Sequence, residues 1–503
     1  MHRRLILVSG AVLLFALTLA GPVLAAPPSQ TSSDPTDWTV LALGITYLLP
    51  IGLILLSIAA FPEEGAVSAT TGALVVWGLA VLADFAVGFA FQFGGIAVFH
   101  NDPDLAGLYW EYSLLDTTWG TGWGMIGLRG FLLLDAAATA GALTLFLSQL
   151  PFLGVATLLV YFALQGRTQP WVILLTSLLM GSLIYPIIGN WVWAAGWLAN
   201  LGINLGFGHG LVDAGGSGQA VLVGASAALA ALLVFRKRPA NGPNAADETP
   251  DGDEGTDAAT AWHDGAAQPD EPETVSMPPV QLPLLGSLGA TLMLIGWIGT
   301  VFMTHLPTAI DVLPAATAVN LVLSALGATQ MAGLYSWFTT SKLNPLMGAR
   351  GMAAGLVVAA AAAPFVAAWS ALAAGLVIGL LLPLLIYLFD RVIRLDDTAS
   401  AVAAFGIPAI LGLLLAGVVA DGRYGVGWNG VGEESYLGVE GQGVSGLLVA
   451  AGFTPDWPGQ IYAQLVGIAA IFAWSFVLSW LLLRILAGLI HAWERTGWET
   501  GPP

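Results

Sequence analysis

Apolar residues run along this chain in long blocks, not in alternation. Stretches of roughly 20 apolar residues are what a helix needs to cross hydrocarbon. They fall near 37–61, 72–97, 131–165, 170–200, 213–235, 281–305, 310–338, 351–370, 372–390, 400–420 and 459–490. Pro62, Gly166, Pro170, Pro239, Pro307 and Pro345 break the blocks. The pattern predicts an all-α polytopic membrane protein with eleven spans. One segment departs from it. Residues 239–279 carry ten acidic side chains, from Asp247 to Glu273, among Ala, Gly and Pro. Such a stretch lacks the apolar area to fold and is expected to be a disordered linker.

Charge then orients the bundle. Met1 to Ala26 has a basic start at Arg3 and Arg4, an apolar run from Leu5 to Leu19, and Val23-Leu24-Ala25 before Ala26. It reads as a cleavable secretory signal, which puts the mature N-terminus outside. With eleven spans, ten basic residues then fall on cytoplasmic ends: Arg167, Arg236, Lys237, Arg238, Lys342, Arg350, Arg391, Arg394, Arg484 and Arg495. Only Arg129 and Arg423 fall outside. That bias is the positive-inside pattern, and one span more or fewer would scramble it. The C-terminus is then cytoplasmic, in the plasma membrane. The long outer loops, 98–130 and 421–458, are rich in Trp and Gly and suit interfacial anchoring or a vestibule cap.

Composition narrows the function. Of 503 residues, 57% are hydrophobic and 9% charged. A soluble domain carries about 25% charged residues, so lipid must be the solvent. The net charge of −18 argues against nucleic acid as a partner. With no cysteine there are no disulfides, thiolate metal sites or thiol nucleophiles. No metal cluster, nucleophile–base pair or phosphate loop suggests an enzyme or a cofactor. Gly215-Gly216-Ser217-Gly218 suits close helix packing better than a nucleotide cradle.

Five segments, in order, resemble the ammonium transporter family (Amt/Mep/Rh). Asp213-Ala-Gly-Gly-Ser-Gly-Gln-Ala-Val221 aligns without a gap to the family's fifth-helix motif D-F-A-G-S-G-V-V-H. Tyr185-Pro-Ile-Ile-Gly-Asn-Trp-Val-Trp193 is similar to the segment ending in the vestibule tryptophan. Within Gly348 to Val357 lies a stretch like G-x-x-A-G-L-V. Asp396-Asp397 opens a run like the tenth helix, and Gln460 to Leu465 with Trp474-Ser-Phe-Val resembles the eleventh. The resemblance implies two inverted five-helix repeats, 37–238 and 280–421. An outer loop at 422–458, an eleventh helix at 459–492 and a short tail at 493–503 complete it. It also implies a homotrimer with one pore per subunit, carrying ammonium or ammonia.

Carried over by alignment, Trp193 is the vestibule tryptophan, Phe152 the first gate, and Thr304 the hydroxyl that accepts from the cation. Ring faces attract ammonium by about 0.5–2 kcal/mol. Asp213 fits an architectural role beside the pore, as a cap for free backbone N–H groups. Three positions depart. The second gate falls on Thr300. The family's two facing pore histidines fall on Val221 and Phe405, which neither donate nor accept protons as imidazole does. Of the six histidines, His2, His100, His209, His263 and His491 belong to the signal, loops, linker or interface. His305 follows Thr304 and would face the outer vestibule. None is expected at mid-membrane, and Gln219 is expected to be the one strongly polar side chain near Val221. The family's long tail, which meets a nitrogen-regulatory signal protein, is largely missing, which argues against that partner.

Ammonium or ammonia conduction is therefore the leading expectation, by an altered mechanism. A non-transporting scaffold or sensor subunit is the alternative. A channel for another small neutral solute, such as carbon dioxide, shares the same dry pore.

Overall fold

The computed structural model describes residues 35–134, 137–236, 281–301 and 312–495. The expected signal, the acidic linker, Thr304, His305 and most of the tail lie outside them. The chain divides into two units, Met1–Leu41 and Ala42–Pro503, and the second holds the helices that build the site.

Among the described residues, ten helices are long and apolar enough to cross a membrane. They are α1 (Val40–Ile58), α2 (Gly65–Val98), α3 (Ala140–Leu164), α4 (Pro170–Trp193), α5 (Ser217–Val234), α6 (Gln281–Thr300) and α7 (Pro314–Thr340), then α9 (Ala368–Val392), α10 (Ala401–Val419) and α11 (Gly459–Ile490). The shorter apolar helix α8 (Pro345–Ala360) stands where the eighth span is expected. α2 is already helical at Gly65, so the second span begins earlier than 72.

Three other boundaries differ for local reasons. The third span does not begin at 131. Leu132 and Leu133 take positive φ, and the helix starts at Ala140, where the Thr139 hydroxyl accepts from Ala142 N–H at 3.2 Å. The fourth ends at Trp193, because Ala195 has φ 59° and the chain turns back. The eighth starts at Pro345, where the Asn344 carboxamide oxygen caps Leu346 and Met347 N–H, and it gives way near Pro364.

Packing is close. α1 lies along α6, α3 along α5, and α7 along both α8 and α9, while α11 lies along α5 and α10. At the α1–α6 crossing the contact is reciprocal. A Cβ on Gly52 would run into the Gly289 carbonyl, and a Cβ on Gly289 would meet the Gly52 carbonyl. Only glycine allows backbones this near.

Three of the basic residues assigned to one side, Arg167, Arg236 and Arg350, lie at one end. The Arg167 guanidinium pairs with Asp396 at 2.9 Å. Arg236 donates to Ile393 O at 2.7 Å and Arg350 to Thr398 O at 2.8 Å. The loops after α3 and α9 and the end of α5 therefore share that face. At the opposite end the loops interlock: Gln460 accepts from His209 N–H and donates to Gly210 O, and Asn429 donates to His209 O. His209, a loop residue as expected, is fully buried there, its ring 4.4 Å from that of Tyr436.

Candidate functional site

The site begins with a short connector, Asp213 to Gly216, that leads into α5. Two indoles hold it. Trp193 Nε1–H, at the end of α4, donates to Asp213 O at 2.8 Å. Trp297 Nε1–H, on α6, donates to Gly215 O at 2.9 Å. Ala214 N–H adds a bond to Ala361 O at 3.0 Å. The connector is thus fixed from three elements.

Phe152, on α3, packs edge-to-face against Trp193 with ring centres 4.9 Å apart and planes at 81°. Both rings are buried, at 1% exposure. Gly216 makes the seat, at φ 77°. A Cβ there would sit 2.8 Å from the Phe152 ring and 3.2 Å from Trp193, so the aromatic pair occupies the space that a side chain would take.

Asp213 caps the start of α5. Its Oδ2 accepts from Gly218 N–H at 2.9 Å and Gln219 N–H at 2.8 Å, satisfying donors that a helix start leaves free. α5 opens with one wide turn, Ser217–Leu222, in which the backbone bonds skip an extra residue. The opening of α10 has the same design. Asp397 Oδ1 accepts from Ala401 N–H at 2.8 Å, and its Oδ2 from Val402 and Ala403 N–H at 2.9 and 3.1 Å. Ser400 takes positive φ as Gly216 does, and the wide turn is Ala401–Gly406. Burial pushes the Asp397 carboxyl above its ordinary range, while those three N–H groups and Arg350 pull it back. Val221 and Phe405 each stand eight residues after their aspartate. Both are fully buried, and the two wide turns pack against each other.

The Thr300 O–H donates to Trp297 O within its own helix at 2.7 Å, so its proton is committed and only its lone pairs remain. Gln219 is not the one polar side chain near Val221. Its Nε2 donates to Gln149 Oε1 and to the Tyr185 hydroxyl, both at 3.0 Å. The same Gln149 oxygen accepts from Tyr185 O–H and from Gln92 Nε2, both at 2.9 Å. Four helices thus meet at one carboxamide oxygen. Asp84 on α2, also buried, is a residue that the sequence motifs do not single out. A signal for it is present, since it is an ionisable residue within an apolar span. Among the described residues no three His, Asp or Glu side chains gather closely enough to hold a metal ion.

Comparison with known proteins bears on the chain as a whole. The model of the Ammonium Transporter Family matches residues 37–252 and 268–495. Ammonium transporter Amt2 of Archaeoglobus fulgidus is 25% identical over 94% of this chain and 88% of its own length. A putative ammonium transporter of Synechocystis is 28% identical over 65% of this chain and 64% of its own. Among solved structures, Mep2 of Candida albicans superposes with a TM-score of 0.65 at 20% identity, over 92% of this chain and 86% of that one. A structure described as a sensor Amt protein gives 0.64 at 21% identity, over 90% and 93%.

Proposed function

Since this chain belongs to the ammonium transporter family, we propose that it conducts ammonia across the plasma membrane as a neutral molecule, without a proton relay. The observation that carries this reading is the capped pair of wide turns. They place Val221 and Phe405, at matching distances from Asp213 and Asp397, fully buried on two turns that pack against each other. In this reading the two positions are those of the family's histidines, and hydrocarbon replaces both imidazoles.

The steps are set by the residues. Ammonium is drawn to the outer mouth by the electron-rich face of Trp193, whose indole N–H is committed to Asp213 and holds the ring in place. By the resemblance to the family, Thr304 supplies an accepting hydroxyl. The cation loses its proton to water there, because a bare ion would pay a large desolvation cost further in. Phe152 swings from the Gly216 seat, and ammonia passes between Val221 and Phe405. The Thr300 hydroxyl donates to Trp297 O within its own helix and keeps its lone pairs as acceptors at the second gate.

The wider architecture belongs to the same reading. It has eleven spans, with α8 as the eighth, N-terminus outside and C-terminus inside, once the signal at 1–26 is cut. Spans one to five and six to ten form inverted repeats, supported by the reciprocal Gly52–Gly289 contact and the Asp213 and Asp397 caps. The assembly is a homotrimer, and the acidic linker 239–279 lies in the cytoplasm.

Uptake into proteoliposomes with simultaneous current recording tests the proposal. The expected result is ammonia uptake, read by internal pH, without sustained ammonium-evoked current. A steady current that grows with ammonium would overturn the neutral mechanism. Absence of uptake would favour the non-conducting alternative, with the buried Phe405 ring as the plug.

A further inference from the structure

One stripe of α2 sets its crossing with α4. Ala80, Asp84 and Gly88 are spaced one helical turn apart and share a face. α4 packs a wide turn, Met180–Ile184, against them. A Cβ on Gly181 would run into the Ala80 carbonyl. A Cβ on Gly88 would run into Gly181 O and Asp84 Oδ1, and would meet Pro186 Cγ at 2.8 Å. Both oxygens stand within 3.0 Å of that one point, so they are close neighbours across the bare Cα of Gly88.

Among the described residues neither oxygen finds a donor. In the wide turn of α4, Tyr185 N–H bonds back to Met180 O, one residue beyond the usual reach. The next N–H in that register would serve Gly181 O, but it falls on Pro186, which has none. Asp84 Oδ1 is sealed from solvent with no hydrogen-bond partner, and Asp84 takes part in neither ion pair. Two acceptors sealed together repel, and each forfeits its bond with water. A proton on the carboxyl removes both costs, because a neutral acid brings one O–H donor. The carbonyl cannot supply it.

We propose that Asp84 is a positioning residue that acts as a neutral acid: its O–H donates to the Gly181 carbonyl that Pro186 leaves free, and this bond fixes the turn of α4 from which Tyr185 and Trp193 are presented. The gap at Gly88 is too narrow even for a methyl carbon, so a proton fits between the oxygens where a water or an ammonium ion does not. Just past the turn, the Tyr185 hydroxyl reaches Gln149 at 2.9 Å, and further along the same helix the Trp193 indole reaches Asp213 O at 2.8 Å. The rotation of that helix decides where both side chains point. The part played by Trp193 rests on the conduction reading above, whereas the Asp84 bond does not.

Infrared spectroscopy of the purified full-length chain, in an ester-free detergent at neutral pH, tests the bond. A protonated carboxyl absorbs where ionised carboxylates and amides do not. The wild-type minus Asp84→Asn difference spectrum is expected to hold one such band, which shifts when deuterium replaces the proton. A carboxylate band in its place would overturn the bond and point to a bound cation. Melting temperatures give a second reading. Asp84→Asn keeps the shape and offers an N–H donor, so it is expected to melt with the wild type, while Asp84→Leu, which has no donor, is expected to melt lower. If Asp84→Asn melts as low as Asp84→Leu, or does not fold, charge is what the place requires and the proposal falls. It falls too if both variants melt with the wild type. Uptake into proteoliposomes reads the positioning: it is expected to be several-fold slower in Asp84→Leu and restored in Asp84→Asn, with Asp84→Ala used if Asp84→Leu does not fold. Wild-type uptake by the variant without a donor would overturn the positioning role. No uptake by the wild type would sink the conduction reading, while the band and the melting order still decide the bond.

Discussion

At the scale of single residues, the two aspartates that open α5 and α10 are the clearest determinants. Each satisfies buried backbone donors that nothing else reaches. Asp213→Ala and Asp397→Ala are each expected to lower stability by about 1–3 kcal/mol, read as a drop in melting temperature. Glu111, on the loop after α2, is a second case. Burial first, then the nearby Asp116, pushes its carboxyl up to about 7 from 4.5. The folded protein therefore prefers it protonated. That preference contributes fully below pH 4.5 and is lost as the pH rises through about 7. Glu111→Gln should match the wild type near pH 4.5 and melt at a higher temperature above pH 7; a variant that gains nothing at alkaline pH would refute this. The connector motif was legible because Asp213, Gly216 and Val221 are close in sequence. Gln149, Tyr185, Gln92 and Asp84 come from three different helices. Their convergence is a matter of helix rotation, which a run of apolar letters does not encode.

At the scale of elements, hydropathy located the spans well, because length and apolarity are what lipid demands of a helix. It erred at ends. The stretch 131–139 is as apolar as a span, but Leu132 and Leu133 lie in the left-handed region and Thr139 supplies the cap that starts α3. The hydrophobic letters continue and the backbone does not. Close helix contacts were foreshadowed by the glycine content, though not their pairing. The Gly52–Gly289 crossing gives a direct check. Gly289→Leu would drive a side chain into the Gly52 carbonyl and is expected to cost about 1–3 kcal/mol as overpacking. Gly44→Leu, with nothing near its Cβ position, should cost far less. Equal melting temperatures for the two would contradict the contact.

At the scale of the whole molecule, the sequence could count charges but not see where side chains meet. Arg167, Arg236 and Arg350 lie at one end of the bundle, where Arg167 and Asp396 tie the loop after α3 to the loop after α9. What counting could not reach is how little room the bundle leaves for its parts to slide. Backbone touches backbone both ways at the meeting of α1 and α6. Side chains cannot enter this crossing without parting the two backbones. If transport needs only the swing of one phenyl ring, its rate should rise gently on warming, as permeation through a fixed hole does. Flux measured across a range of temperatures would show the steep climb of a large rearrangement if that seam had to part on every turnover.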